Sequence, residues 1–367
     1  MIIQAKSNVN IRKGSPSSKA TIIGVIYAGK TVTVEGSVEG EPINNNSQWY
    51  YDKAKNYYWS GGFTAQIGNT PIVQLNNLSN FWWFTKYDIN KIWSYTRGED
   101  ARVAILDTGI EQSHDDLRSA IAGGRCFVPG SNAEDISDND EVSHGTRDAG
   151  IIAARGASKA MGVAPASKLF IGKVMNDSNG GGFDIPAFID ALQWAQDVVK
   201  ADVISISIGL DDLPEVKQKI GSMGIGDKII VCAAVGNGGG SRPMDVYPAS
   251  YPECLSVGAI DSARVALGLS NRSNFIDLVS PGGDIITTSR NNSTITVADT
   301  SIATAYTAGV VALMASYCKK KGIPISKIQK VITATAFDAG DTGWDETYGF
   351  GIINPGSTFS KLFNIQL

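Results

Sequence analysis

The chain changes its hydrophobic rhythm near residue 96. Before that point the apolar residues come in short β-rich runs: Val9–Arg12, Ile22–Tyr27, Lys30–Val34, Gln48–Tyr51 and Tyr57–Trp59. Turn residues break them, notably Lys13-Gly14-Ser15-Pro16 and Gly29. Lys30–Val34 alternates as a half-buried strand does. Such closely spaced strands predict a small barrel over residues 1–66. Beyond residue 96 the apolar runs are nearly continuous: Arg102–Leu106, Asp202–Ile208 and Lys228–Cys232. Helical stretches such as Ala187–Ala195 lie between them. Strands apolar on both faces and separated by helices predict an α/β fold over 96–367, a mostly parallel sheet between two layers of helix. Residues 67–95 join the two regions. Phe81-Trp82-Trp83-Phe84 is too aromatic for a solvated linker and is expected to pack against a domain, and Asp88–Trp93 reads as a short capped helix leading into the second region.

Composition narrows the function classes. The chain has 367 residues, 43% hydrophobic and 19% charged, with a formal net charge of -4. That charge argues against a broad nucleic-acid surface. No apolar run approaches the ~18 residues of a membrane span. The N-terminus turns polar at once, without the pattern of a secretory leader, so a cytoplasmic location is expected, or a secreted one if a leader has been removed. Cys126, Cys232, Cys254 and Cys318 lack metal-ligand spacing and are expected to be free, buried thiols.

Candidate chemistry begins with scarcity, because the chain has only two histidines, His114 and His144. His144, in Ser143-His144-Gly145-Thr146, opens a helical stretch and is the candidate general base. Asp107 follows the strand run at 103–106 and precedes Thr108-Gly109, where a carboxylate can orient an imidazole. Ser301 stands before a small-residue helix, where the helix dipole favours a nucleophile. Asn237, in a glycine-rich turn after the third buried run, can donate its amide to an oxyanion. Each alone has an ordinary explanation as a turn or cap residue. Together they occupy strand ends and helix starts of one α/β domain.

Asp107-Thr108-Gly109, His144-Gly145-Thr146, Gly162-Val163-Ala164-Pro165, Ser205–Gly209, Asn237, Tyr247–Pro252, Ser280-Pro281-Gly282, Thr300–Thr304 and Tyr348–Gly351 resemble, in order, the landmarks of the subtilisin-like serine proteases, the peptidase S8 family. The resemblance runs from about 88 to 356. It implies a serine endopeptidase with Asp107, His144 and Ser301 as triad and Asn237 in the oxyanion hole. It also implies that Ser207, Ile208 and Gly209 pair with an extended substrate, while Ala234, Val235 and Gly236 wall the pocket before the cut. Val9–Gly14, the Gly24 and Gly29 pair and Trp49 through Phe63 resemble a bacterial SH3 domain, which implies a peptide, cell-wall or protein ligand for residues 1–66.

Departures from the family pattern carry expectations of their own. Arg147 stands where many members have histidine, as in the proprotein-processing branch, and Asp148 beside it could pair with it. Asp299, Ala305 and Tyr306 replace a usual glycine, proline and histidine around the nucleophile. Asp211 and Asp212 sit at an offset similar to the acidic pocket residues of the processing branch, which points to a preference for a basic side chain before the cut. His114 falls at a surface-turn position of the family. Asp116 matches a family calcium ligand, but Arg155–Ala160 is a basic loop short of oxygen ligands. The carboxylate-rich loop Asp135–Glu141 keeps calcium open as a cofactor. A barrel stands where the family's inhibitory pro-domain would, so control by the N-terminal domain or the aromatic bridge is expected. The alternatives are a non-catalytic peptide-binding relative and a peptide ligase or cyclase using the same acyl-enzyme.

Overall fold

The structure, a computed structural model, describes residues 2–27, 30–44, 46–63, 81–156, 160–225, 228–240 and 243–367. Gly29, the bridge from 67 to 80 and residues 157–159 of the basic loop lie outside these. The chain divides into two units, residues 1–72 and 73–367.

The first unit is all-β. Strands β1 (Ile2–Gln4), β2 (Val9–Lys13), β3 (Thr21–Ile26), β4 (Thr31–Thr33), β5 (Gly36–Ile43), β6 (Asn46–Tyr51) and β7 (Asn56–Trp59) follow in sequence. They form a five-stranded sheet in the order β3-β2-β7-β6-β5 and a separate β1-β4 pair, with antiparallel pairing throughout. Ala5, Val9, Val34, Tyr58 and Phe63 make its small core. β5 has no hydrophobic pattern of its own, and its Gly, Glu and Pro residues hide it in the sequence. It forms because β6 supplies a ladder for it, with a register irregularity between Glu39 and Ile43.

The second unit carries helices α1 (Trp82–Lys86) and α2 (Ile89–Ile92) ahead of the α/β core. The core strands are β8 (Arg102–Asp107), β9 (Ile121–Cys126), β10 (Lys168–Lys173), β11 (Val203–Ile206), β12 (Ile230–Ala234), β13 (Leu255–Ile260) and β14 (Leu278–Pro281). All pair in parallel, in the order β14-β13-β12-β11-β8-β10-β9. A hairpin of β15 (Ile285–Ser289) and β16 (Ser293–Val297) follows. The helices are α3 (His144–Ala153), α4 (Ile185–Trp194), α5 (Pro214–Ser222), α6 (Thr300–Lys321), α7 (Ile328–Ala334) and α8 (Pro355–Phe363).

Side-chain alternation explains the apolar runs. Val103 and Ile105 of β8 join one core with α3 and α6, while Ala104 and Leu106 join the other with α4 and α5. Ile230 and Cys232 of β12 divide from Val231 and Ala233 in the same way. The central strands β11 and β12 are dry on both faces, so their positions are nearly all apolar, whereas the edge strand β9 is largely exposed. α6 is buried from Thr300 through Cys318 and is apolar all round for that reason. By length and composition it could cross a membrane, contrary to the expectation that no such run exists, but its whole apolar window lies inside the protein.

The aromatic run packs into the second unit. Trp83 is 1% exposed and its ring meets Tyr306 of α6 edge-on at 5.6 Å. Phe84 stacks edge-on against Trp93, whose indole N–H donates to the Val163 carbonyl at 2.9 Å. Asp88 does not cap α2 as expected. It adopts a left-handed backbone, φ 58°, and its carboxylate pairs with Lys91 at 3.0 Å. The four cysteines are free and buried. Replacing Trp83 by Ala opens a cavity against α6, so a loss of about 3–5 kcal/mol is expected in urea unfolding of the whole chain.

Candidate active site

The chain builds β9 and β10 on one side of β8 and β11 through β14 on the other. Connections leave in opposite directions there, and a crevice opens at the carboxyl ends of β8 and β11. Asp107 is the last residue of β8, with no exposed surface. Its Oδ1 accepts the Thr108 N–H at 2.7 Å. Gly109 has φ 119°, and a Cβ there would lie 2.6 Å from the Ser137 carbonyl oxygen, so only glycine fits this turn.

His144 opens α3. Gly145 lets the helix start press onto the Asp107 turn, since a Cβ would sit 2.3 Å from the Gly109 carbonyl oxygen. Two buried carboxylates satisfy the first N–H groups of the helix. Asp140 accepts the His144 N–H at 3.0 Å, and Asp138 accepts the Thr146 N–H at 2.9 Å. Asp138 also accepts the Thr108 hydroxyl at 3.0 Å, and Thr108 accepts the Gly145 N–H at 2.9 Å. Strand end and helix start are thus tied through one carboxylate. The loop Asp135–Glu141 is rich enough in carboxylates to suggest calcium. Asp138 and Asp140 are instead helix-capping groups filled by hydrogen-bond donors, including the N–H and hydroxyl of Ser178 on Asp140. Nothing in the sequence signals this, because Ser143 stands at the cap position, but in the structure its side chain makes no cap bond.

The imidazole lies between aspartate and serine. His144 Nδ1 is 2.8 and 3.0 Å from the two Asp107 oxygens, and Nε2 is 3.0 Å from Ser301 Oγ. Ser301 is the second residue of α6 and 4% exposed. The cap of α6 is Asp299, whose Oδ1 accepts the Ile302 N–H at 2.8 Å. That tie commits one Asp299 oxygen to the helix end. Asn237 is exposed, and its Oδ1 accepts both the Thr300 N–H at 2.9 Å and the Thr300 hydroxyl at 2.8 Å. With its carbonyl end so used, its amide NH2 is the end left for the crevice.

Charge is concentrated around the base. Burial lowers the proton affinity of His144, but Asp107, Asp148 and Asp299 together raise it above the ordinary histidine value. Burial raises Asp148, and Asp107 and Asp299 add to the rise, while the charge of His144 and the Ser207 hydroxyl lower it. Asp148 does not pair with Arg147 as expected. It is 1% exposed and accepts the Ser207 hydroxyl at 2.7 Å, because position 148 of α3 faces the sheet. Asp107, His144 and Asp148 place one potential ligand atom each within 4.8 Å of one another. Both ring nitrogens are already hydrogen-bonded, so the trio is a base flanked by carboxylates rather than an open metal cage.

Other expected residues fall at varied distances from this chemistry. Ser207, Ile208 and Gly209 continue β11 into the crevice, and Gly209 is exposed. Leu210 then pairs with Tyr247 in both directions. Ala234 ends β12 at 6% exposure and Gly236 is half-buried beyond it. Val235 is turned into the core, with its N–H on the Val257 carbonyl and its own carbonyl taking the Asn271 side chain. Asp211 and Asp212 are exposed in the loop after Leu210. His114 is buried rather than on the surface: it accepts the Asp116 N–H at Nδ1, 3.1 Å, and Nε2 meets the Ser293 carbonyl at 2.9 Å. Asp116 is buried and takes the Ala160 N–H at 3.4 Å, while its carbonyl takes the Arg155 N–H. Among the described residues this is a set of N–H donors beside an arginine, which does not fit calcium.

Comparison with known proteins agrees with this architecture. The subtilase family profile, Peptidase_S8, matches residues 98–351. An intracellular serine protease of Paenibacillus polymyxa is 38% identical over 61% of this chain and 69% of its own length. The major intracellular serine protease of Bacillus subtilis (strain 168) is 36% identical over 60% of this chain and 70% of its own. A thermophilic serine proteinase of Bacillus sp. (strain AK1) is 30% identical over 95% of this chain and 84% of its own, an alignment that extends into the N-terminal unit. The chain belongs to the subtilase family and is a serine-type endopeptidase.

Proposed function

We propose that the chain hydrolyses peptide bonds through an acyl-enzyme on Ser301. The observation that carries this is the continuous hydrogen-bond path from Asp107 through His144 to Ser301 Oγ. In this reading Ser301 Oγ attacks the scissile carbonyl carbon as His144 Nε2 takes its proton. Asp107 holds the ring through Nδ1 and stabilises the imidazolium. The tetrahedral oxyanion is met by the Asn237 amide and the Ser301 N–H, which has no intrahelical acceptor so early in α6. The carbon–nitrogen bond then breaks as His144 returns the proton to the leaving amine. Water, deprotonated by the same imidazole, releases the carboxylic acid product. The substrate lies extended beside Ser207, Ile208 and Gly209, with Ala234 and Gly236 lining the side-chain pocket.

A site of action inside the cell is favoured by the free, buried cysteines and by two relatives named as intracellular proteases. For residues 1–66, the five-stranded antiparallel sheet supports an SH3-like module that takes a peptide, cell-wall or protein ligand. The exposed Asp211 and Asp212 support a preference for Arg or Lys before the cut.

The nucleophile is tested by a fluorophosphonate probe. Label is expected on the wild-type chain and none on Ser301→Ala. Absence of label on both would favour a non-catalytic peptide binder, and product masses then separate hydrolysis from ligation. Removing the oxyanion asparagine costs about 10²–10³ in kcat in subtilisin, a member of this same family. The same fall is expected for Asn237→Ala, with KM little changed, in steady-state peptide hydrolysis. Solvent-exposed ion pairs contribute about 0.2–1 kcal/mol. Peptides with Arg before the cut should therefore exceed their Leu counterparts by up to about fivefold in kcat/KM for each carboxylate engaged. Equal rates would remove the basic preference.

A further inference from the structure

Asp148 is a buried carboxylate that the reaction as drawn does not use. It lies one helical turn beyond His144 on α3, so the two side chains share a face. A carboxylate oxygen of Asp148 lies within 4.8 Å of ligand atoms of both His144 and Asp107. Its Oδ2 accepts the Ser207 hydroxyl at 2.7 Å, and its Oδ1 is buried with no hydrogen-bond partner. A buried oxygen without a partner is destabilising, so the position carries a group that an apolar residue would avoid.

We propose that Asp148 is a second positioning residue for His144, a carboxylate that supports the imidazolium alongside Asp107 and links the base to the substrate-binding segment through Ser207. This rests on the reading of His144 as the general base. The link has a direct geometry. Ser207 begins the stretch that continues β11 into the crevice, and its hydroxyl ends on the carboxylate that faces the base. A peptide seated along Ser207–Gly209 would therefore fix the donor that holds Asp148 in place. The charged groups around Asp148 are Asp107 at the end of β8, His144 on its own helix and Asp299 at the cap of α6. Arg147, next in the chain, leaves its buried Nε without a partner and forms no ion pair among the described residues.

The sign of the effect follows from charge: burial, Asp107 and Asp299 favour neutral Asp148, but the imidazolium of His144 draws it back to the carboxylate, so the two groups ionise as a pair. A carboxylate beside an imidazole favours its protonated form, so removing it makes the proton leave at lower pH. The neutral base then persists to lower pH, and the acid limb of the kcat/KM profile moves down. The chain has only two histidines, so the His144 ring can be followed by NMR through a pH titration of the full protein. In Asp148→Asn the His144 midpoint is expected to fall by about one unit or more, with the acid limb of kcat/KM falling in parallel. Asp148→Val, which also removes the unpaired oxygen, should shift both in the same direction and gives the reading if the Asn variant does not fold. An unchanged His144 midpoint in a folded variant would overturn the proposal, even if stability or overall rate had changed. The midpoint is read without any turnover, so this outcome stays separate from that of the fluorophosphonate experiment.

Discussion

The Asp107–His144 contact is the constraint on which the rest of this fold is arranged. A strand end and a helix start must meet closely enough for a carboxylate to reach Nδ1 at 2.8 Å. Two glycines make that approach sterically feasible, Gly109 in its turn and Gly145 in the first turn of α3. Asp138 then fixes it by binding the Thr108 hydroxyl and the Thr146 N–H together. The buried carboxylates at the start of α3 satisfy N–H groups that would otherwise be orphaned, and their negative charge complements the helix dipole.

Ser301, the proposed nucleophile, is positioned by a different element with its own logic. α6 runs through the centre of the second unit, buried on every side, and delivers Ser301 in its first turn. Its entry is held by Asp299 on the Ile302 N–H and by Asn237 on Thr300. The Asn237 carbonyl oxygen anchors the helix start and leaves its amide NH2 for the proposed oxyanion role. The departure at Tyr306 is matched by the aromatic run before the domain, because Trp83 packs edge-on against that ring. The aromatic run from Phe81 to Phe84 is part of the core against which α6 packs.

The substitutions that set this chain apart place extra negative charge near the base. Asp299 has one oxygen tied to a helix end, which limits its approach to a developing oxyanion. Asp148 is held by a serine of the adjoining strand segment and carries one unsatisfied oxygen. Buried polar atoms without partners are costly, and native proteins concentrate them where chemistry depends on them.

Much of this could be read directly from the chain. The doubly apolar runs named the parallel sheet, because strands dry on both faces admit no polar alternation. Asp107, His144 and Ser301 were legible because strand ends and helix starts are local features with local signatures, and because histidine is so scarce here. The β5 strand left little trace, since its pairing partner β6 rather than its own pattern stabilises it. The buried state of His114, the inward turn of Val235 and the capping roles of Asp138 and Asp140 were also beyond the sequence. So was the choice of Ser207 over Arg147 as the partner of Asp148. Each depends on which way a side chain faces once helix and sheet have packed. The sequence by itself determined the elements and the kinds of chemical group they carry. Only the tertiary structure decided which groups meet across elements, because Thr108–Asp138, Ser207–Asp148 and His144–Ser301 join residues 30, 59 and 157 positions apart, and close packing rather than local propensity selects among them.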